Sequence, residues 1–102
     1  MRTIIIDGKK MTSHENAHAH LAERLSFPDY YGGNLDALHD CLNDISEETH
    51  LIIHNCSEIE VALGLYGSVL IKVLILSAEE NGFLTISFYE GIESSEGDKK
   101  GQ

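Results

Sequence analysis

Basic residues are scarce in this chain. Lysine and arginine together number 7 against 17 aspartate and glutamate residues, so the formal net charge is −10. No lysine or arginine occurs between Arg24 and Lys72, although eight acidic residues lie in that interval. Such a chain repels nucleic acid and anionic lipid, because both are negatively charged. Its expected partners are therefore basic proteins or cations.

Cysteine and long apolar runs are also scarce. Cys41 and Cys56 are too few for the disulfide framework of a small secreted domain, so we expect two reduced thiols rather than a bridge. The apolar run at residues 69–76 is too short to cross a bilayer. The run at residues 4–6 is too short for the hydrophobic region of a signal peptide. These absences predict a cytoplasmic protein that does not enter membranes.

Three short apolar runs predict strands, at residues 3–6, 51–53 and 83–89. The second run has no polar alternation, which is typical of a strand covered on both faces. Helical stretches separate the strands, and this alternation favours parallel pairing with right-handed crossovers. The predicted fold class is therefore α/β, with a small three-stranded parallel sheet packed with about four helices.

Capping signals mark the first two helices. Thr12 and Glu15 form a capping box at the start of the first helix. Pro28 ends that helix, because its ring disfavours helical geometry in the preceding residue. Asn34 is expected to cap the second helix by accepting a hydrogen bond from a free backbone N–H. The predicted buried stripe of this helix consists of Leu35, Leu38, Cys41, Leu42 and Ile45.

Two further helices are predicted after the second strand. A short one starts at Ser57 and ends near Gly64, and a longer one covers residues 68–80. Three apolar residues of the longer helix are expected to face inward: Val69, Val73 and Leu76. Residues 91–102 contain almost nothing apolar, so we expect a disordered tail after a domain at residues 1–90.

The second helix carries four polar residues opposite its apolar stripe. They are Asp36, His39, Asp40 and Asn43, at spacing i, i+3, i+4 and i+7. Repulsion between Asp36 and Asp40 costs the helix about 0.2–0.5 kcal/mol, and no nearby lysine offsets it. Acidic runs are usually only solvated faces. However, a helix face that keeps two mutually repelling carboxylates favours the hypothesis of an interface that receives positive charge from a partner.

The loop before this helix also suits an interface. Tyr30 and Tyr31 combine large apolar rings with polar tips, although core packing of one of them is an equal alternative. Gly32 and Gly33 either let a partner approach the backbone closely or serve only the geometry of the turn.

The run from Leu25 to Leu42 resembles the barstar family, whose members are intracellular inhibitors of bacterial ribonucleases. It contains, in order, leucine, proline, an acid, Tyr-Tyr-Gly, Asn-Leu-Asp-Ala-Leu, one further residue and Asp-Cys-Leu. The resemblance implies a protein without catalysis or cofactor, whose second helix and preceding loop enter the active site of a basic, barnase-like extracellular ribonuclease. Asp40 would there replace a substrate phosphate, because a carboxylate on a helix can accept paired hydrogen bonds from arginine.

Five residues match the binding motif of the family: Tyr30, Gly32, Asn34, Asp36 and Asp40. The predicted surface also includes His39, which stands where the family usually has tryptophan, and Asn43 and Asp44, which replace its usual Thr-Gly pair. The simplest alignment places the acidic contact positions of the last helix at Ser77 and Asn81.

Three other functions stay open. Asp36, His39 and Asp40, or His14 with His18 at helical spacing, could bind a divalent metal. Paired carboxylates could act as acid and base in an enzyme. A barstar-like fold could also serve as an acidic module for another basic partner, without inhibiting a nuclease.

Overall fold

The computed structural model describes residues 1–91, which form a three-stranded parallel sheet and four α-helices. The strands, which lie side by side in chain order, are β1 (Arg2–Asp7), β2 (Thr49–His54) and β3 (Leu84–Phe88). The helices are α1 (His14–Leu25), α2 (Leu35–Asn43), α3 (Ser57–Leu63) and α4 (Leu65–Glu80). The predicted fold class is confirmed. The predicted tail lies outside the described residues, apart from Gly91.

The core lies on one face of the sheet. Ile4 pairs with Leu51, and Ile6 pairs with Ile53, and all four are buried. Between them Ile5 is 44% exposed, and the residues of β2 alternate between buried and half-buried. The prediction that the second strand is covered on both faces was therefore wrong. A three-residue apolar run does not reveal which face of a sheet receives the helices.

The start of α1 differs from the prediction by one residue. The Ser13 hydroxyl accepts a hydrogen bond from the Asn16 N–H at 3.0 Å and caps the helix. The Thr12 hydroxyl instead accepts from the Asn16 side-chain amide at 2.7 Å. Two adjacent hydroxyl residues offer the same capping chemistry, so the sequence could not separate them.

Helix α1 covers the outer edge of β1. The Asp7 N–H donates to Nε2 of His20 at 3.1 Å, and Nε of Arg24 donates to the Ile5 carbonyl at 3.0 Å. Two backbone groups of this edge strand, one N–H and one carbonyl, are therefore hydrogen-bonded to side chains of α1.

Helix α4 begins before the predicted residue 68 and buries a different face. Its buried residues are Gly67, Leu70, Leu74 and Ser77, whereas Val69 is 38% exposed, Leu76 is 46% exposed and Val73 is half-buried. The prediction was wrong because this helix is apolar on nearly every side. Its orientation follows from Gly67, where a Cβ atom would lie only 2.6 Å from the Ile59 carbonyl oxygen of α3.

Two remaining expectations concern thiols and membranes. Cys41 and Cys56 are both free, as predicted, and half-buried. None of the helices within residues 1–91 is long and apolar enough to cross a membrane.

Candidate protein-binding surface

The loop between α1 and α2 has a defined backbone path. Ser26 adopts a left-handed conformation with φ 58°, which ends α1 two residues before Pro28. The Tyr31 N–H donates to the Pro28 carbonyl at 2.9 Å and closes a turn. Gly33 has φ 68°, where a side chain would be strained. This loop, residues 26–34, and the exposed side of α2 are called the binding surface below.

The two tyrosines of the loop have opposite environments. The ring of Tyr31 lies 4.9 Å from that of Phe27 and packs against the core, and its hydroxyl is 2.6 Å from Nδ1 of His18. Burial raises the pKa of Tyr31. Tyr30, in contrast, is 87% exposed. Tyr31 is therefore the tyrosine that packs against the core, and Tyr30 exposes its ring to solvent.

The amino-terminal end of α2 is capped as predicted. Oδ1 of Asn34 accepts a hydrogen bond from the Ala37 N–H at 2.8 Å. The backbone of Gly32 lies close to this cap, since a Cβ atom there would be 3.3 Å from the Asn34 amide nitrogen. Asp36 is exposed in the first turn, where the helix dipole favours a negative charge.

A cleft of about 590 Å³ opens between the loop and the carboxyl-terminal half of α2. Four of the predicted contact residues line it: Tyr30, Gly32, Asp40 and Asp44. The Asp40 side chain is 84% exposed. Burial raises the pKa of the Cys41 thiol in the same cleft, and the carboxylates of Asp44 and Asp40 add to this effect. Arg2, which also lines the cleft, is paired with Glu47 at 3.6 Å.

His39 lies between two carboxylates. Its Nε2 is 2.7 Å from Oε1 of Glu80, and its Nδ1 is 4.0 Å from Oδ1 of Asp40. The side-chain amide of Asn43 donates to the His39 carbonyl at 3.0 Å and lies 3.4 Å from the same Glu80 oxygen. These contacts join the exposed side of α2 to the end of α4. The sequence did not single out Glu80, because this contact spans 41 residues.

The two positions near the end of α4 that the alignment suggested as contacts are both buried. Ser77 is fully buried, and Asn81 is only 8% exposed. The Asn81 amide donates to the carbonyls of Leu42 and Ile45, both at 3.0 Å. Asn81 thus satisfies backbone groups where α2 ends. The carboxylate that α4 brings to the binding surface belongs to Glu80.

The histidine pair considered as a metal site is engaged in other contacts. The ring of His14 stacks on Tyr66 with centroids 3.7 Å apart. Both ring nitrogens of His18 are hydrogen-bonded, to the hydroxyls of Tyr31 and Tyr66. Within residues 1–91, no group of three or more histidine, cysteine, aspartate or glutamate side chains is arranged to hold a metal ion.

Comparison with known proteins relates the chain to a family. The family model described as Barstar (barnase inhibitor) matches residues 1–89. The chain belongs to the barstar family. The curated protein "Putative ribonuclease inhibitor YrdF" from Bacillus subtilis (strain 168) is 41% identical over 81 residues, which cover 78% of this chain and 89% of that protein.

Membership of the barstar family confirms the resemblance seen in residues 25–42. The match spans every strand and helix described above, including the loop and α2. Barstar proteins are inhibitors rather than enzymes, and both comparisons support a ribonuclease-inhibitor-like role for this chain.

Proposed function

We propose that this chain is an intracellular, cytoplasmic inhibitor that blocks the active site of a basic, barnase-like microbial ribonuclease of the extracellular type. The proposed contacts are the eight residues predicted from the sequence, namely Tyr30, Gly32, Asn34, Asp36, His39, Asp40, Asn43 and Asp44. The observation that carries the proposal is the position of Asp40, an 84% exposed carboxylate on a helix that borders a cleft.

Asp40 is suited to replace a phosphate of RNA. A ribonuclease must hold phosphate groups with positively charged side chains. A carboxylate can accept charge-assisted, bidentate hydrogen bonds from arginine in the same way. The net charge of −10 also favours rapid encounter with a basic nuclease, because complementary charges steer association.

Contacts on the buried side and at both ends of α2 hold Asp40 in a fixed position. Leu38 and Leu42 are fully buried and hold the opposite side of α2 against the core. Asn34 caps the start of α2, and Asn81 binds carbonyls at its end. A surface that is ordered before binding loses little conformational entropy on association.

Tyr30 and the cleft complete the proposed contact. Exposed tyrosine is enriched at interfaces because its ring buries area and its hydroxyl forms hydrogen bonds. Tyr30 and Asp40 both line the cleft of about 590 Å³. We propose that a side chain of the nuclease enters this cleft between them.

The test measures RNA cleavage by barnase with stoichiometric amounts of the chain. The unmodified chain should suppress cleavage, and Asp40→Ala should weaken inhibition by about 30-fold or more, because truncating one partner of a buried charge pair costs about 2–5 kcal/mol. Glu15→Ala, which removes an exposed carboxylate of α1, should inhibit normally.

Two results would contradict this proposal. Inhibition by Asp40→Ala equal to that of the unmodified chain would refute the role of Asp40. Failure of the unmodified chain to inhibit barnase or other basic microbial ribonucleases would favour an acidic binding module for a different basic partner.

A further inference from the structure

We propose that Leu76 of α4 is a specificity-determining residue beside the binding surface, and that it selects a basic partner with an apolar side chain next to its cationic groups. This inference rests on the proposed function and names the partner chemistry that the surface accepts. It starts from the exposed side of α4, where Leu76 is 46% exposed and lies one helical turn before Glu80.

Glu80 marks the place where α4 meets the binding surface. Its Oε1 is 2.7 Å from Nε2 of His39 and 3.4 Å from the side-chain amide nitrogen of Asn43. Side chains four residues apart on a helix are neighbours, with Cβ atoms about 5–6 Å apart. Leu76 therefore follows Glu80 along the exposed side of α4, and a partner that covers Glu80 and His39 also reaches Leu76.

The neighbouring residue Ile75 faces a different side of α4. It is 42% exposed, which is close to the exposure of Leu76, but it lines a separate groove between α4 and β3. Successive side chains of a helix are rotated by about 100° around its axis. Two adjacent apolar residues of similar exposure thus differ in one respect, because Leu76 shares its side of the helix with Glu80.

Lys72 limits how far a basic partner extends along α4. It is exposed and lies one helical turn before Leu76, on the opposite side from Glu80 along the helix. A cationic partner is attracted by Glu80 and repelled by Lys72. Contact with α4 is therefore confined to the turn that contains Leu76 and Glu80, where Leu76 supplies the apolar area.

The side chain of Leu76 discriminates between basic partners because it accepts no hydrogen bond. A lysine or arginine of the partner that is placed against it loses water without gaining an acceptor, which disfavours that partner. An apolar side chain at the same place buries its surface against the exposed part of Leu76, which favours binding. The chain therefore prefers a partner whose cationic groups are flanked by an apolar residue over a uniformly basic one.

The experiment uses two peptides of equal length and charge, both with blocked termini. Each contains six arginines, interspersed with four leucines in one peptide and with four glutamines in the other, since leucine and glutamine have similar helix propensities. Binding at pH 7.5 is measured calorimetrically for the unmodified chain, for Leu76→Gln and for the matched control Ile75→Gln. Thermal unfolding followed by circular dichroism checks that each variant is folded.

We expect the unmodified chain to bind the leucine peptide about fivefold more tightly than the glutamine peptide, because part of the Leu76 side chain becomes buried. Leu76→Gln should abolish this preference without changing the affinity for the glutamine peptide, and Ile75→Gln should retain the preference. Equal affinities of the unmodified chain for the two peptides would overturn the inference. A preference that survives Leu76→Gln, or that Ile75→Gln also abolishes, would overturn it as well.

Two further measurements separate this inference from the proposed function. Asp40→Asn should weaken the binding of both peptides, and an unchanged affinity would overturn the assignment to this surface. Inhibition of barnase is measured in parallel. If the chain does not inhibit barnase but its peptide preference depends on Leu76, the proposed function fails and the role of Leu76 stands. If it inhibits barnase without any such preference, the proposed function stands and the role of Leu76 fails.

Discussion

Replacing His18 with phenylalanine should lower the free energy of unfolding and flatten its dependence on pH. His18 is 4% exposed, and its Nδ1 and Nε2 lie 2.6 Å and 2.7 Å from the hydroxyls of Tyr31 and Tyr66. A neutral imidazole donates from one nitrogen and accepts at the other, so it can satisfy both phenols. Phenylalanine keeps an aromatic ring but removes both hydrogen bonds.

The size of the effect follows from these two bonds. Each contributes about 0.5–1.5 kcal/mol net, so the variant should lose roughly 1–3 kcal/mol at pH 7.5. In a domain of this size, 1 kcal/mol changes the Tm by about 4–8 °C. We therefore expect a decrease in Tm on the order of 10 °C.

The pH dependence follows from burial. Burial, followed by the charge of His14, lowers the pKa of His18 below its ordinary value of 6.5. As the pH falls below 6.5, the unfolded chain gains a proton that folded His18 does not, so folding loses at most about 1.4 kcal/mol by pH 5.5. Burial also lowers the pKa of His20. The variant should therefore keep the part of the wild-type pH dependence between pH 7.5 and 5.5 that arises from His20.

The assay is urea unfolding followed by circular dichroism at pH 7.5, 6.5 and 5.5. Tyr31→Phe serves as the matched control, because it removes one of the hydrogen bonds and leaves His18 to titrate. It should lower stability at pH 7.5 and keep the wild-type slope with pH. A His18→Phe variant with the full wild-type slope would refute the reasoning, since the slope would then arise elsewhere.

Three further variants test the surface and its support. Tyr30→Ala should weaken barnase inhibition by about tenfold or more with little change in Tm, because the side chain is 87% exposed; a large fall in Tm would instead make it a packing residue. Gly67→Ala should destabilise the chain in urea, since its Cβ would lie 2.6 Å from the Ile59 carbonyl oxygen, and increased stability would contradict the close helix crossing. Asn81→Ala should cost about 1–3 kcal/mol in the same assay by removing the hydrogen bonds that its amide donates to the Leu42 and Ile45 carbonyls, whereas no loss would mean that water replaces the amide.

Local signals in the sequence were sufficient for the element order and for the second helix. Asn34 caps α2 because a short side-chain oxygen at that position reaches the Ala37 N–H. The apolar spacing correctly identified Leu38 and Leu42 as buried. The cap and the buried side of α2 both depend on residues that lie within one or two helical turns of each other. Sequence periodicity is informative over this short range.

Contacts between distant elements were not predictable in this way. The buried face of α4 was misassigned because Leu70 and Leu74 differ little in polarity from the exposed Val69 and Leu76. Its actual orientation depends on the close approach of Gly67 to α3. The pairing of His39 with Glu80 likewise depends on the position of the end of α4 beside α2. No local sequence pattern predicts the separation between these two helices.

The covered edge of β1 limits how copies of this chain could associate through their sheets. Arg24 and His20 occupy backbone groups on the outer side of β1, while β3 ends the sheet on the other side. Two copies that joined through their β3 strands would present a β1 edge, covered by α1, at each end of the combined sheet. Growth beyond a pair would first have to displace His20 and Arg24 from these backbone groups, so addition of further strands is disfavoured.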